Sequence, residues 1–355
     1  MVATVEFPTT CNQSLAAIEP DERLADYRFL AYSLESRYQD LRSLVGDGLR
    51  DGLNLEHVRA IEVPLPPREE QVSIVRFLDH ADRRTRRAIR AKQKLIALLN
   101  EQKRAMIHRA VTRGLDPNVR LKPSGVDWLG DVPEHWHVAK LKSELRNLNA
   151  RRIPLSSTER GGMTDRRYDY YGASGVIDKV DDYVFDDDLL LVAEDGANLV
   201  LRNLPLAVIA RGKFWVNNHA HILKPRHGCL EYFAALLESI DFKPWISGAA
   251  QPKLTQERLM AITIPIPPDS EQAEIAAWIK YETSSGDHAI EKARREIELL
   301  REYRTRLIAD VVTGELDVRD AAARLPAELD ELEQLDDTDV EPLEASDEEL
   351  EPVET

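Results

Sequence analysis

Two stretches of the chain mix cations, aromatics and amides beside glycines. They are Arg166-Arg167-Tyr168-Asp169-Tyr170-Tyr171-Gly172-Ala173-Ser174-Gly175 and Arg211-Gly212-Lys213-Phe214-Trp215-Val216-Asn217-Asn218-His219-Ala220-His221. Arg and Lys suit phosphate oxygens, while Asn, Ser and Tyr reach base edges, so these are the residue types that a DNA-reading surface requires. Tyr171, Ser174, Arg211, Lys213, Asn217 and Asn218 are the candidate contacts. A plainer reading places Tyr171 and Trp215 in a core and the cations on a solvated face. His219 and His221 alternate on one strand face, which fits either a metal pair or two structural histidines.

Enzyme signatures are missing. There is no Gly-x-x-x-x-Gly-Lys-Ser/Thr loop, no Gly-x-Gly-x-x-Gly after a strand, no His-Glu-x-x-His and no Cys-x-x-Cys, so no catalytic residue, metal or cofactor is expected. The carboxylates Asp186-Asp187-Asp188 with Glu194-Asp195 could hold Mg²⁺ as in a nuclease. Yet no lysine follows Glu194 at the close spacing such nucleases use, and Asp-rich turns are common.

The elements that carry these residues are organised by an internal repeat. Ala-Ile-Glu-Val-Pro-Leu-Pro-Pro at 60–67, with Glu70-Gln71 and Ile74, returns as Ala-Ile-Thr-Ile-Pro-Ile-Pro-Pro at 261–268, with Glu271-Gln272 and Ile275. The offset of 201 residues persists to Leu115-Asp116 and Leu316-Asp317. The tandem prolines cannot lie inside a helix and force extended backbone before them, so a long helix is predicted to start near Arg68 and again near Asp269. Ile290, Ala293, Ile297, Leu300, Leu307 and Val311 form a narrow apolar seam, matched in the first copy by Ile89, Ile96, Leu99 and Met106. Two such helices should pack antiparallel. Lys103 and Arg304 share one seam position, where a cation either sets register or snorkels out. Ser284-Ser285-Gly286 predicts a break or kink in the second helix.

At 355 residues the chain suits two globular units plus helices. Two cysteines, Cys11 and Cys229, make no disulfide framework, which fits a reducing, cytoplasmic setting, and no apolar run is long enough to span a membrane. The net charge of −16 is mostly local, because residues 326–355 hold fourteen Asp or Glu and no Lys, Arg or His, leaving −2 for the rest. Such a block is expected to be solvated and disordered, or else to compete with nucleic acid. Between Trp128 and Pro265 short apolar runs at Val184-Phe185, Leu189–Val192 and Leu206–Ile209 read as strands, and Glu231–Ser239 as a helix. Residues 1–63 parallel only the closing part of that globule, as Leu34-Glu35-Ser36 against Leu237-Glu238-Ser239 illustrates. On this alignment about seventy to eighty residues of a first globule are missing from the front of the chain.

Gly130-Asp131-Val132-Pro133-Glu134-His135-Trp136, Tyr171-Gly172-Ala173-Ser174-Gly175-Val176-Ile177-Asp178, Glu194-Asp195-Gly196-Ala197-Asn198, Ala210–His221 and Ala250-Gln251-Pro252-Lys253-Leu254 together resemble the target recognition domain of type I restriction-modification specificity subunits. The doubled proline-led helices, closing on Val111–Gly114 and Val312-Thr313-Gly314, are similar to that family's conserved spacer helices. The resemblance implies an α+β fold in which mixed α/β recognition domains are joined by two long, antiparallel coiled-coil helices. It also implies a non-catalytic subunit that binds double-stranded DNA and docks DNA methyltransferase subunits and a restriction motor-nuclease subunit. The expected parts are a remnant of a first recognition domain (1–63), a spacer helix and linker (64–120), a complete recognition domain (121–265), a second spacer helix (266–320) and an acidic tail (321–355). The shortened first domain puts two-part DNA recognition by one chain in doubt. It leaves open a homodimer through the helices, or a scaffold that only occupies methyltransferase subunits.

Overall fold

The computed structural model describes residues 2–5, 7–12, 15–38, 55–202, 204–248 and 252–326. The acidic block from 327 on, and Ala250-Gln251 used above, lie outside the described residues. The chain opens on α1 (Tyr27–Ser36), α2 (Leu55–Arg59) and the long α3 (Arg68–Arg113). It continues through β1 (Leu121–Pro123), β2 (Asp131–Pro133), β3 (His137–Lys140), α4 (Leu141–Glu144), β4 (Leu145–Asn147), α5 (Ser157–Gly161), β5 (Tyr168–Tyr171), β6 (Val176–Val180), β7 (Phe185–Asp186) and β8 (Leu189–Ala193). Then come α6 (Asn198–Leu201), β9 (Ala207–Ala210), β10 (Lys213–Val216), β11 (Ala220–Pro225), α7 (Leu230–Ser239), α8 (Gln256–Ala261), β12 (Thr263–Ile266), the long α9 (Asp269–Val312) and α10 (Arg319–Ala323). Two compact units result, one from Met1–Lys92 with Arg295–Thr355 and one from Gln93–Arg294. No helix among the described residues is long and apolar enough to cross a membrane.

The second unit is built on two four-stranded sheets, ordered β6-β5-β10-β7 and β4-β11-β8-β9. Strand β8 shows why it sits where it does. Its sequence Leu-Leu-Leu-Val-Ala has no polar alternation, so it must be covered on both faces, and all five residues are buried. Leu189 and Leu191 pack with Phe185, Phe214 and Ile222 between the sheets. Leu190 and Val192 face the other way, onto a core with Tyr232, Phe233, Leu236 and Leu237 of α7. That core also takes Ala110 and Val111 from the end of α3 and Ile275 and Ile279 from the start of α9, which anchors the helix pair in the globule.

Within each unit the long helices run antiparallel. In the first, Ile74 and Leu78 share a core with Ile308 and Val311, and Lys92 Nζ meets Glu296 at 2.5 Å. In the second, Lys103 Nζ meets Asp287 at 2.6 Å. The two matched seam cations, Lys103 and Arg304, each meet an acidic residue of the opposing long helix, Asp287 and Asp82, and Arg304 also pairs with Glu35 of α1. Arg304 is the more enclosed, with its Nη1 2.5 Å from Glu35 and its Nε donating to Asp82. Burial opposes its charge, but the two carboxylates outweigh that and push its pKa up. The predicted break at Ser284-Ser285-Gly286 does not occur, and α9 runs unbroken through it. Buried Ile279, Thr283 and Ile290 hold the flanking turns, and this packing exceeds a local propensity cost of about 1 kcal/mol for the glycine.

The repeat is visible in one buried amide. Gln71 Oε1 accepts from the backbone N–H of Asp26 at 2.8 Å, while its Nε2 donates to Leu24 and Pro66 carbonyls. Gln272 Oε1 accepts from the N–H of Cys229 at 3.0 Å, and its Nε2 donates to the Pro267 carbonyl. Asp26 and Cys229 are the N-caps of α1 and α7, two ten-residue helices that both close on Leu-Glu-Ser. The same side chain thus ties the same helix to the same proline turn in both units.

Candidate nucleic-acid interface

Strands β5 and β10 run parallel, with Val216 opposite Tyr171, so both release their chains at the same edge. Strand β8 ends beside them, and β11 begins there, because Ala193 pairs with Ala220. Four loops meet at this edge. Asn217 N–H donates to the Tyr171 carbonyl, Glu194 N–H to His219, Leu254 N–H to Glu194 and Gly196 N–H to Pro252. Asn198 Nδ2 donates to Ser174 Oγ at 3.0 Å and to the Leu204 carbonyl at 3.0 Å, which fixes the 172–175 turn against α6. Gly172 is required by closeness, since a Cβ there would lie 2.9 Å from the Ile177 side chain.

A charge cluster holds the loops. Glu194, 8% exposed, receives Arg152 Nη1 at 2.6 Å and Lys253 Nζ at 3.3 Å. The same Arg152 nitrogen reaches the carbonyls of Asn218 at 3.1 Å and Ala220 at 2.9 Å. His221 is fully buried and its pKa is lowered by that burial. Asn149 Oδ1 accepts the Ile222 N–H, so its amide nitrogen points at His221 Nδ1, 2.8 Å away, and Nδ1 must be the acceptor. Nε2 then carries the proton donated to the Leu254 carbonyl at 2.7 Å. His221 is a neutral structural residue, and its 3.7 Å approach to Glu194 is not an ion pair. His219 Nδ1 lies 2.9 Å from Asp195, whose hydrogen bond raises the imidazole pKa against the opposing effect of burial.

The two histidines act on opposite sides of neutrality. The lowered pKa of His221 gives stability that is present above about 6.5 and lost as pH falls toward its folded value. The raised pKa of His219 gives stability that is complete below about 6.5 and lost as pH rises through its folded value. Denaturant midpoints are therefore expected to peak near pH 6.5, with the alkaline limb flattened in His219→Asn.

The six sequence candidates divide between two places. Tyr171, Ser174, Asn217 and Asn218 are at the loop edge, whereas Arg211 and Lys213 are at the opposite end of β10. Tyr171 packs edge-on to Phe214 at 5.6 Å. Asn217 is 7% exposed and its Oδ1 accepts the His219 N–H, so it shapes the turn and leaves Asn218 to present its side chain outward. Arg211 is held by Asp188 and Glu231 at 2.5 Å each. Lys213 is exposed, 4.5 Å from the Tyr183 ring centre. The carboxylates Asp186-Asp187-Asp188 and Glu194-Asp195 are split likewise. Asp187 pairs with Lys224 and Asp188 with Arg211 at one end of β8, while Glu194 and Asp195 lie past the other end. Arg152 was not singled out from sequence, because its partners Glu194 and Asn218 lie 42 and 66 residues away.

Residues 1–98 and 133–299 match the family described as type I restriction modification DNA specificity domain. The type I restriction enzyme MjaVIII specificity subunit of Methanocaldococcus jannaschii is 26% identical over 335 residues, 87% of this chain and 74% of that one. A Haemophilus influenzae protein provisionally named a type I restriction enzyme specificity subunit is 38% identical over 129 residues, 36% of this chain and 32% of that one. The chain thus spans about a third of the Haemophilus relative. A solved chain described under complex assembly and conformational transition of the type I R-M system has the same fold, with a TM-score of 0.59 at 16% identity over 84% of this chain and 74% of that one. The family match covers most of the sequence, and the chain belongs to the type I restriction modification DNA specificity domain family.

Proposed function

We propose that the chain is the sequence-specific DNA-binding subunit of a type I restriction-modification complex, directing methyltransferase and restriction subunits to a target sequence while performing no catalysis itself. Residues 121–265 are its complete recognition domain, and residues 1–63 the closing part of another. The observation that supports this most is the meeting of four loops at one sheet edge, where half-buried Ser174 and Asn198 and exposed Asn218 and Lys253 supply base-reading chemistry. Ile177, 57% exposed beside Gly172, offers an apolar contact for a thymine methyl. Lys213, exposed beside the Tyr183 ring, suits a phosphate.

Two variants test the division. Asn218→Ala is expected to relax base preference at one position by about 1–3 kcal/mol in competition binding. Lys213→Ala is expected to weaken binding to all duplexes alike and to reduce the slope of log affinity against log salt by about one. Parent-like salt titrations and site preferences in both variants would refute this face. Co-purification with a methyltransferase subunit and no footprint on any duplex would favour a scaffold instead.

A further inference from the structure

Two histidines lie two residues apart at the four-loop edge, and the fold treats them oppositely. Both ring nitrogens of His221 are used, on Asn149 and on the Leu254 carbonyl, and the residue is fully buried. His219 keeps one ring nitrogen free. Its backbone is fixed on both sides, because its N–H donates to Asn217 Oδ1 at 2.8 Å and its carbonyl accepts the Glu194 N–H at 2.9 Å. Its Nδ1 faces both oxygens of Asp195, at 2.9 and 3.0 Å. An ionised carboxylate only accepts, so Nδ1 carries a proton and Nε2 is the nitrogen that titrates. Nε2 makes no hydrogen bond among the described residues. It is not enclosed either, since the buried polar side-chain atoms left without a partner are Trp128 Nε1, Asn147 Nδ2 and Arg202 Nε. The side chain is 36% exposed, next to the outward-facing Asn218.

The charges around His219 balance until that nitrogen is protonated. Glu194 and Asp195 bring two negative charges and Arg152 and Lys253 two positive ones, with Arg152 2.6 Å and Lys253 3.3 Å from Glu194. Tyr171, whose pKa is raised by burial, adds none at neutral pH, nor do Ser174, Asn198, Asn217 and Asn218, and His221 is neutral. This cluster therefore carries no net charge with a neutral His219 and one positive charge with its imidazolium. The Asp195 hydrogen bond, against burial and Lys253, holds the imidazole pKa up, so the charged form persists above about pH 6.5. A charged N–H donor of this kind matches a phosphate oxygen.

We propose that His219 is a phosphate contact of the loop edge, its Nε2–H donating to a DNA backbone oxygen in the imidazolium form while Asp195 acts as its positioning residue, so that protonation tightens DNA binding. This contact rests on the reading of the loop edge as the DNA-binding face. Complex formation then takes up a proton from solvent. Affinity falls as pH rises through the folded pKa of the imidazole, with a slope of log affinity against pH no steeper than about −1.

Binding of the full-length chain to its selected duplex, measured from about pH 5.5 to about pH 8.5 at fixed ionic strength, tests this. The parent is expected to lose about three- to tenfold in affinity across the range, and its slope of log affinity against log salt should be steeper by about one at the acid end. His219→Asn keeps an amide N–H for Asp195 but lacks Nε2. It should bind at the parent's alkaline level throughout, with one salt slope at both ends. Asp195→Asn keeps the imidazole and removes the carboxylate that raises its pKa, so the midpoint of the pH dependence should move down toward about 6.5. Far-UV circular dichroism confirms that each variant is folded at each pH. A parent affinity that is flat or rises with pH, or a pH dependence that His219→Asn retains in full, would overturn the proposal and leave the reading of the edge in place. No preference for any duplex at any pH would overturn both.

Discussion

Gln272→Leu is expected to destabilise the second unit by about 2–4 kcal/mol, although the two side chains are close in volume. Gln272 is 1% exposed, and it binds both the Cys229 N–H at the start of α7 and the Pro267 carbonyl before α9. A leucine takes that partner from both groups, at about 1–3 kcal/mol for the carbonyl of buried Pro267 and for the N–H of half-buried Cys229 together with the helix start it caps. The surroundings cannot relax to help, because Gly228, at φ +81°, is packed so closely on the carboxamide that even a Cβ there would collide with it. Gln71→Leu removes three such bonds from the first unit and should cost at least as much there. Urea unfolding measures both. Glu274→Gln, exposed on the same helix as Gln272, is the control and should stay within about 0.5 kcal/mol of the parent. Glutamine variants as stable as that control would show that these amides do not join the helices to the globules.

Arg152→Ala should lower binding to the preferred DNA site by about 30- to 1000-fold, the equivalent of about 2–4 kcal/mol. One guanidinium nitrogen ties Glu194 after β8 to Asn218 and Ala220 at the β10–β11 turn, and so sets two of the four loops at the edge against each other. Without it the nearly buried Glu194 keeps, among the described residues, Lys253 as its cation, at the longer distance of 3.3 Å and half exposed. An uncompensated carboxylate there both strains the loops and repels phosphate. Arg152→Lys keeps the charge but cannot reach three acceptors in one plane, so it should recover only part of the loss. The informative readout is the ratio of site-specific to non-specific affinity. Loss through misplaced loops lowers the ratio, whereas loss of a simple phosphate contact lowers both affinities and leaves it unchanged.

What could be read from the sequence followed from local constraints. Pro66-Pro67 and Pro267-Pro268 place both long helices to the residue, because proline forbids the preceding turn. Strand β8 was legible as an unbroken apolar run, and α7 from its period. The break expected at Ser284–Gly286 failed because burial on the partner helix overrides propensity. The candidate contacts were legible as residue types, while where the fold puts them was not. The fold pairs Arg211 with Asp188 and Glu231, turns the Asn217 amide oxygen onto the His219 N–H, and puts Lys213 at the other end of β10 from Asn217 and Asn218. Lys253 and Asn198 reach the edge only through loops that pair across tens of residues, as the bridge from Asp195 to Lys253 shows. Spacing along the chain does not encode such closure.

The claim that the four-loop edge reads bases is tested most directly by photo-crosslinking. A photoreactive side chain is placed in turn at Ser174, Asn218 and Lys253, and at Arg211 as the far-end control, in the full chain bound to its selected duplex. Crosslinks from the first three to bases within the site, and none from Arg211 to any base, are the predicted result. Base crosslinks from Arg211 with none from the loop edge would contradict the account.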